Sequence, residues 1–176
     1  IVLFGKFLTV NYFTIQNILL DSFSFSYFNI FEKKIIWFFL FLGFAIKVPL
    51  YPFHIWLPEA HSEAPTEGSV LLAGVLLKMG TYGFLRYVFT LFPELNFYFY
   101  TFIFSLCLTG IIYSSLSALI QIDIKRIIAY SSIGHMAYCI LAILTSDCVG
   151  ILGSSFIMVS HGIISGGLFF CVGSIY

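Results

Sequence analysis

The sequence predicts an all-α membrane protein, a polytopic bundle of helices. Of its 176 residues, 60% are hydrophobic and only 9% are charged, whereas a soluble domain carries about 25% charged residues. Several apolar runs also reach the roughly 20 residues that a helix needs to cross a bilayer. We therefore expect lipid to be the solvent for most of the chain.

The charged residues and the cysteines argue against two kinds of site. Eight Lys and Arg balance eight Asp and Glu, and no basic cluster is present that could neutralise phosphates, so no nucleic acid partner is expected. The cysteines are too dispersed for metal-ligand spacing, and we interpret them as small hydrophobic residues. We also expect no metal at His54, Glu59, His61 and Glu63, whose spacing across Pro58 fits no ligand pattern.

The predicted elements follow one another with short connections. Residues 1–34 are predicted to form a partial helix at 1–10 and then an extramembrane connection, because 11–34 are rich in Asn, Asp, Glu and Lys. About five full membrane-spanning helices follow, at approximately 35–57, 68–91, 97–120, 127–145 and 149–173. Their short connectors predict that consecutive helices are antiparallel neighbours.

Two prolines interrupt the first of these spans. Pro49 and Pro52 follow Lys47, and each lacks the N–H that a continuous helix requires. We predict a broken helix here, with the carbonyls of Ala45 and Val48 freed. Irregular backbone at membrane depth is tolerated where protein buries it or water wets it, and transporters build ion sites in this way.

Four spans each place one ionisable side chain near the midpoint: Lys47, Lys78, His135 and His161. A lysine at the bilayer centre costs about 2.5 to 3.5 kcal/mol, so each should face the protein interior or water. Helices packed about 8 to 10 Å apart would align these groups in a row that ordered water could bridge. The pattern predicts a proton relay with no catalytic residue.

Hydroxyl groups lie one helical turn from two of the central side chains, where they could hydrogen-bond to them. The supporting residues around the first histidine are Ser131, Ser132 and Tyr138, and the one beside the second lysine is Tyr82. A packing role for the histidines, and a structural ion pair between a lysine and a carboxylate of another helix, remain as alternatives. We interpret Gly162 and Gly166 as residues that allow close helix packing.

Three stretches closely resemble the NADH-ubiquinone oxidoreductase chain 4 family. They are AIKVPLYPFHIWLPEAHSEAPTEGSVLLAGVLLKMGTYGFLRY at 45–87, DIKRIIAYSSIGHM at 123–136 and SHGIISGGLFFCVG at 160–173. The resemblance covers about 35–176 and implies an antiporter-like, proton-translocating membrane subunit of respiratory complex I. Such subunits have about fourteen helices and hold no redox cofactor, since NADH, FMN, iron–sulfur clusters and ubiquinone bind elsewhere in the complex.

The resemblance also implies roles for the four central residues. Lys47 matches the lysine of a broken helix that pairs with a glutamate on an earlier helix, and Lys78 matches the lysine that links two half-channels. His135 and His161 match histidines of the connecting hydrophilic axis. The earlier glutamate and a later ionisable residue have no counterpart here, so we expect an incomplete subunit or a second polypeptide that supplies the missing helices.

The expected partners are the lipid bilayer and other membrane-arm subunits of complex I, including neighbouring antiporter-like subunits. The expected location is the mitochondrial inner membrane, or a bacterial inner membrane if the gene is not organellar. One alternative is a subunit of a multi-chain Na⁺/H⁺ antiporter, which shares the same motifs. An alternative of another class is a b-type haem electron carrier, in which His135 and His161 ligate one iron.

Overall fold

The computed structural model describes residues 11–20 and 29–175, and over these ranges the chain is helical with no strand. The all-α prediction is confirmed. The helices are α1 Tyr12–Leu20, α2 Ile30–Lys47, α3 Trp56–Glu63, α4 Thr66–Phe89, α5 Pro93–Tyr98, α6 Tyr100–Ile120, α7 Ile124–Leu144 and α8 Cys148–Ile175. The partial helix predicted at 1–10 lies outside the described residues, as do residues 21–28 of the predicted connection.

Four helices of the described part are long and apolar enough to cross a membrane: α4, α6, α7 and α8. Each begins and ends within a few residues of a predicted span. Helix α2 is not among the four, because its 18 residues include Glu32, Lys33, Lys34 and Lys47. It also begins before the predicted span, and α3 extends into what was predicted as a connector.

The helix break at the two prolines is present. Helix α2 ends at Lys47 and the next helix begins at Trp56, with turns between them that contain Pro49 and Pro52. The indole N–H of Trp56 donates a hydrogen bond to the carbonyl of Ile46 at 3.0 Å. The tryptophan therefore joins the two sides of the break.

One detail of the predicted break is wrong. The carbonyl of Ala45 is not free, because the N–H of Leu50 donates to it at 2.9 Å. The chain turns tightly after Lys47, so an N–H five residues further along replaces the one that Pro49 lacks.

Helix α7 is the centre of the bundle and packs against both α6 and α8. Helix α4 packs along α8 in the opposite direction, in what we call the α4–α8 seam. The backbones approach most closely at Gly162, where an added Cβ would lie 3.1 Å from the carbonyl oxygen of Gly74. At Gly166 an added Cβ would lie 3.6 Å from Val70. Both contacts favour the packing interpretation of these glycines.

A buried asparagine holds the other end of the bundle together. Asn96 of α5 accepts a hydrogen bond from the indole of Trp37 at 2.8 Å and donates to the carbonyl of Val88 at 3.1 Å. The Trp37 ring stacks on Phe41 and Phe99, with centroids 5.1 and 4.4 Å away. This contact set joins α2, α4 and α5 away from the α4–α8 seam.

Candidate functional site

The α4–α8 seam brings together two of the four central ionisable residues. The Nζ of Lys78 lies 2.7 Å from the Nδ1 of His161, within hydrogen-bonding distance. His161 is buried and Lys78 is half-buried. Because the ammonium donates, Nδ1 accepts, and the neutral ring then carries its proton on Nε2.

A widened turn of α4 also holds the lysine. Residues Leu72–Leu76 are π-helical, and the ammonium of Lys78 donates a second hydrogen bond to the carbonyl of Ala73 in this stretch. Such π-helical turns are often found at functional sites. The absence of a side chain at Gly162 leaves room for the lysine stem, since a Cβ there would lie 3.5 Å from its Cε. No motif in the sequence predicted the π-helical turn.

His135 lies on the far side of His161. The two imidazole centroids are 5.6 Å apart and the rings are tilted by 58°. Ser165, one turn after His161, donates its hydroxyl to the carbonyl of that histidine at 2.6 Å and lies 3.5 Å from its Nδ1. Lys78, His161 and His135 therefore form a series of neighbouring side chains, in which His135 is exposed and, within the described residues, makes no hydrogen bond to His161.

A cavity of about 190 Å³ adjoins this series between α7 and α8, and it is half-open to the surface of the chain, since Ser131, His135 and Ile164 in its lining are exposed. It is large enough to hold several waters, each of which needs roughly 10 to 15 Å³ of such volume. We call it the hydroxyl-lined cavity. Its lining residues are Ile128, Ser131, Ser132, His135, Ile157, Ser160, His161, Ile164, Ser165 and Leu168.

The residues predicted to support His135 divide between two surroundings. Ser131 and Ser132 line the cavity, although both hydroxyls donate to the carbonyl of Ile128 at 2.7 and 3.0 Å. Tyr138 is 53% exposed and lies outside the lining. Of these three side chains, only the two serines lie where they could contact water beside His135.

Tyr82 does not contact Lys78. Its hydroxyl accepts a hydrogen bond from the Nη1 of Arg86 at 2.6 Å, and its side chain is 49% exposed. Tyr82 therefore lies one helical turn from Lys78, as its spacing of four residues requires, but its hydroxyl is hydrogen-bonded to Arg86.

Lys47 stays apart from the series. It is exposed at the last position of α2 and makes no hydrogen bond or ion pair within the described residues. The Cβ of Lys47 lies 3.4 Å from the position that a Cβ on Gly80 would occupy. Lys47 therefore packs against α4 at Gly80, two residues after Lys78. The structure thus joins three of the four predicted residues, and the ammonium of Lys47 has an open environment.

Charged residues gather where α3 ends and α7 begins, an end of the bundle that we call the loop side. Arg126 lies 3.4 Å from Glu59 and 3.5 Å from Asp123. Lys125 donates a hydrogen bond to the carbonyl of Ala64 at 3.3 Å, just past the last turn of α3. These side chains mark the loop side as the polar boundary of the bundle.

His61 lies beneath this boundary and is fully buried. Its ring stacks on Phe169 with centroids 4.3 Å apart. Burial lowers the pKa of His61 to about 4, and the nearby charge of Lys125 acts in the same direction. The ring is therefore neutral at physiological pH.

His54, in the turns between α2 and α3, is a second buried histidine. Its ring lies between Tyr51 and Tyr113, with centroid distances of 5.5 and 5.0 Å. Within the described residues, no group of three or more His, Cys, Asp or Glu side chains is placed to hold a metal ion. The packing of His54 is aromatic on both sides.

The complete chain, residues 1–176, matches the family described as NADH:quinone oxidoreductase/Mrp antiporter, TM. It is 54% identical over 149 residues to NADH-ubiquinone oxidoreductase chain 4 of Acanthamoeba castellanii, covering 85% of this chain and 30% of that relative. It is 53% identical over 147 residues to NADH-quinone oxidoreductase subunit M of Rickettsia prowazekii, covering 84% of this chain and 30% of that relative. The chain thus spans about a third of the length of these curated relatives.

Two solved structures have the same arrangement of helices. A chain of respiratory complex I from Thermus thermophilus with bound NADH superimposes with a TM-score of 0.75 at 30% identity, covering 80% of this chain and 30% of that one. A chain of the Mrp complex from Dietzia sp. DQ12-45-1b superimposes with a TM-score of 0.77 at 20% identity, covering 98% and 31%. The second likeness shows the fold alone.

Proposed function

Because the chain belongs to the NADH:quinone oxidoreductase/Mrp antiporter membrane family, we propose that it is a proton-translocating part of the membrane arm of respiratory complex I. Protons would cross it while electrons pass from NADH to ubiquinone elsewhere in the assembly. Relatives more than 50% identical over most of this chain are named as chains of that oxidoreductase. It follows that the chain is a multi-pass protein located in the mitochondrial or bacterial inner membrane.

The observation that carries this proposal is the hydrogen bond between Lys78 and His161. Two titratable groups 2.7 Å apart on neighbouring membrane helices can exchange one proton without rearrangement of the backbone. Two positive charges at this distance repel each other strongly in a poorly solvated site. The pair therefore holds one extra proton, and the arrival of a second would expel the first.

The proton can leave the pair through the imidazole. When Lys78 transfers a proton to Nδ1 of His161, the ring becomes doubly protonated and can release the proton on Nε2. His135 and the hydroxyl-lined cavity are beside it, with Ser160 and Ser165 among the lining residues. A water in the cavity would accept this proton and pass it to His135.

Lys47 is included in the proposed proton path because it lies at the end of α2, where the helix is broken. Its exposed ammonium is without a partner in the described part of the chain, and a carboxylate from another segment or polypeptide would satisfy it. A lysine at membrane depth needs such a partner or water. We assign Lys47 to the same proton path, one helix away from Lys78.

The remaining parts of the assembly would be supplied by other chains. The relatives are named as subunits of a multi-subunit oxidoreductase, so the natural partners are other membrane-arm subunits, including neighbouring antiporter-like ones. NADH, FMN, iron–sulfur clusters and ubiquinone would bind in those other subunits. This chain contributes proton transfer and not redox chemistry.

A second candidate function is that of a subunit in a multi-chain Na⁺/H⁺ antiporter. The family description covers both assemblies, and the Mrp chain shares the fold. NADH:quinone oxidoreductase activity in the purified assembly separates the two, because an antiporter has none. A haem carrier would leave Lys78 without a role, whereas the relay uses Lys78 together with both histidines.

The function is tested with Lys78→Ala in the assembled complex, reconstituted into vesicles. We expect proton uptake driven by NADH oxidation to fall several-fold. The matched control is Lys34→Ala, because Lys34 lies on the ring of Tyr98 and far in sequence from the seam. Normal proton transport in Lys78→Ala would overturn the proposal.

A further inference from the structure

His61 is a buried titratable residue that the proposed relay does not use. Its side chain has no exposed surface, and neither ring nitrogen has a hydrogen-bond partner among the described residues. Buried polar atoms in proteins are almost always satisfied by protein or by water. Two unsatisfied atoms on one ring therefore indicate a place where water or a passing proton is accommodated.

The only ring stacked on His61 in the described part belongs to Phe169. The two rings are nearly parallel, at 11°, with centroids 4.3 Å apart. Phe169 is also the largest member of a buried apolar group, which we call the apolar plug. Its members are Val70, Ala73, Ile128, Phe169 and Val172.

Beyond the plug lies the hydroxyl-lined cavity. Ile128 belongs to the plug and also lines the cavity, and Ser165 and His161 line it further inside. His161, Ser165 and Phe169 follow one another at intervals of four residues on α8, so they share one face. With a rise of about 1.5 Å per residue, Phe169 lies roughly 12 Å from the level of His161.

On its other side, His61 is close to the aqueous boundary. It belongs to the last turn of α3, three residues before Ala64, whose carbonyl accepts a hydrogen bond from Lys125. The exposed side chain of Glu59 and the half-buried side chain of Arg126 lie at the same end. The order from the loop side inward is therefore charged surface, His61, Phe169, Ser165 and the Lys78–His161 pair.

We infer that His61 and Phe169 form a gated access path, in which protons from the loop side reach the Lys78–His161 pair when the Phe169 side chain rotates. A proton would bind one nitrogen of His61 and leave from the other to water that joins Ser165. In this structure the plug is closed and separates the histidine from the cavity. The inference rests on the proposed function of the pair.

The first test is Phe169→Ala in the assembled complex in vesicles, with Phe170→Ala as the matched control. Phe170 is the next residue of α8 and is 71% exposed, so its loss leaves the plug intact. We expect Phe169→Ala to keep NADH:quinone oxidoreductase activity while the steady-state pH gradient falls at least twofold, because the path no longer closes. A gradient equal to that of Phe170→Ala would overturn the inference.

The second test leaves Phe169 unaltered. It therefore tests the gated path even if Phe169→Ala fails to assemble. Ser165→Cys is introduced after the four natural cysteines have been replaced by serine or alanine, and a membrane-impermeant thiol reagent is added on the loop side. We expect labelling at least threefold faster during NADH oxidation than at rest, and no such change for Phe170→Cys. Equal labelling of Ser165→Cys in both states would overturn the gate.

The outcomes also separate this inference from the function on which it rests. If Lys78→Ala impairs proton transport and Phe169→Ala matches its control, the relay stands and the gate is wrong. If Lys78→Ala transports protons normally, the relay itself is wrong. His61→Phe completes the set, because it retains the stacked ring but removes both nitrogens, and we expect slower proton transport without the leak.

Discussion

Gly162 faces Gly74 across the α4–α8 seam so closely that an added Cβ would lie 3.1 Å from the carbonyl oxygen of Gly74. The same Cβ would lie 3.5 Å from the Cε of Lys78. This contact between two glycines therefore sets how closely the lysine approaches His161. Small residues at such positions allow membrane helices to pack with their backbones in contact.

The first prediction concerns this contact. Gly162→Ala should push α4 and α8 apart by a few tenths of an ångström, lengthen the bond between Lys78 and His161, and slow proton transport severalfold. Gly167→Ala is the control, since nothing lies within 4 Å of a Cβ added there. Proton uptake per NADH oxidised is measured in vesicles for both variants. Equal values for Gly162→Ala and Gly167→Ala would show that the contact does not position the lysine.

The second prediction concerns proton release by the lysine. Lys78→Arg retains the positive charge, but a guanidinium does not deprotonate in the physiological range. We expect this variant to transport protons as poorly as Lys78→Ala, whereas Lys34→Arg should behave as the natural protein. Full transport in Lys78→Arg would mean that the residue supplies a fixed charge and transfers no proton.

The third prediction separates stability from transport. Asn96→Leu leaves the indole N–H of Trp37 and the carbonyl of Val88 without their side-chain partner in a buried site, which costs about 1 to 3 kcal/mol per unsatisfied group. The complex should lose activity at a lower temperature, while protons transported per NADH stay unchanged in the fraction that remains assembled. A changed ratio would show that Asn96 contributes to the proton path.

The fourth prediction is a dependence of stability on pH. The folded pKa of His61 is about 4, below the unfolded value near 6.5. Between these values the unfolded chain binds a proton that the folded chain does not, so stability is complete above pH 6.5 and falls as the pH drops toward 4.

Over that window the loss attributable to His61 is on the order of 3 kcal/mol. Lys125, Glu59 and Arg126 lie at the same end and are present in both proteins compared, so His61→Phe isolates the effect. The temperature of half-inactivation should fall less between pH 7.5 and 5 in His61→Phe than in the natural protein. An equal decrease of this temperature in His61→Phe and in the natural protein would mean that His61 is protonated in the folded state.

The sequence predicted those features that depend on local chemistry. Pro49 and Pro52 predicted the break after Lys47, because a residue without an N–H has the same effect in any fold. Apolar length predicted the long helices. The central positions of Lys78 and His161 in their spans predicted equal depth, and equal depth on antiparallel neighbours allowed them to meet.

The features that it missed depend on packing and on choices between partners that spacing alone does not reveal. His61 is buried because Phe169, more than a hundred residues later, covers its ring. Tyr82 turned to Arg86 on the same helix, a choice that the spacing alone does not reveal. The π-helical stretch that offers the Ala73 carbonyl to Lys78 contacts α8 and has no sequence motif of its own.

The most direct measurement of the central claim is a double-mutant cycle on Lys78 and His161. Protons transported per NADH oxidised are determined in the reconstituted complex for Lys78→Ala, His161→Phe and the combined variant. If the two side chains form one exchange unit, each single change lowers the ratio and the combined change lowers it no further. Unchanged ratios in the single variants, or losses that multiply in the combined one, would contradict the account.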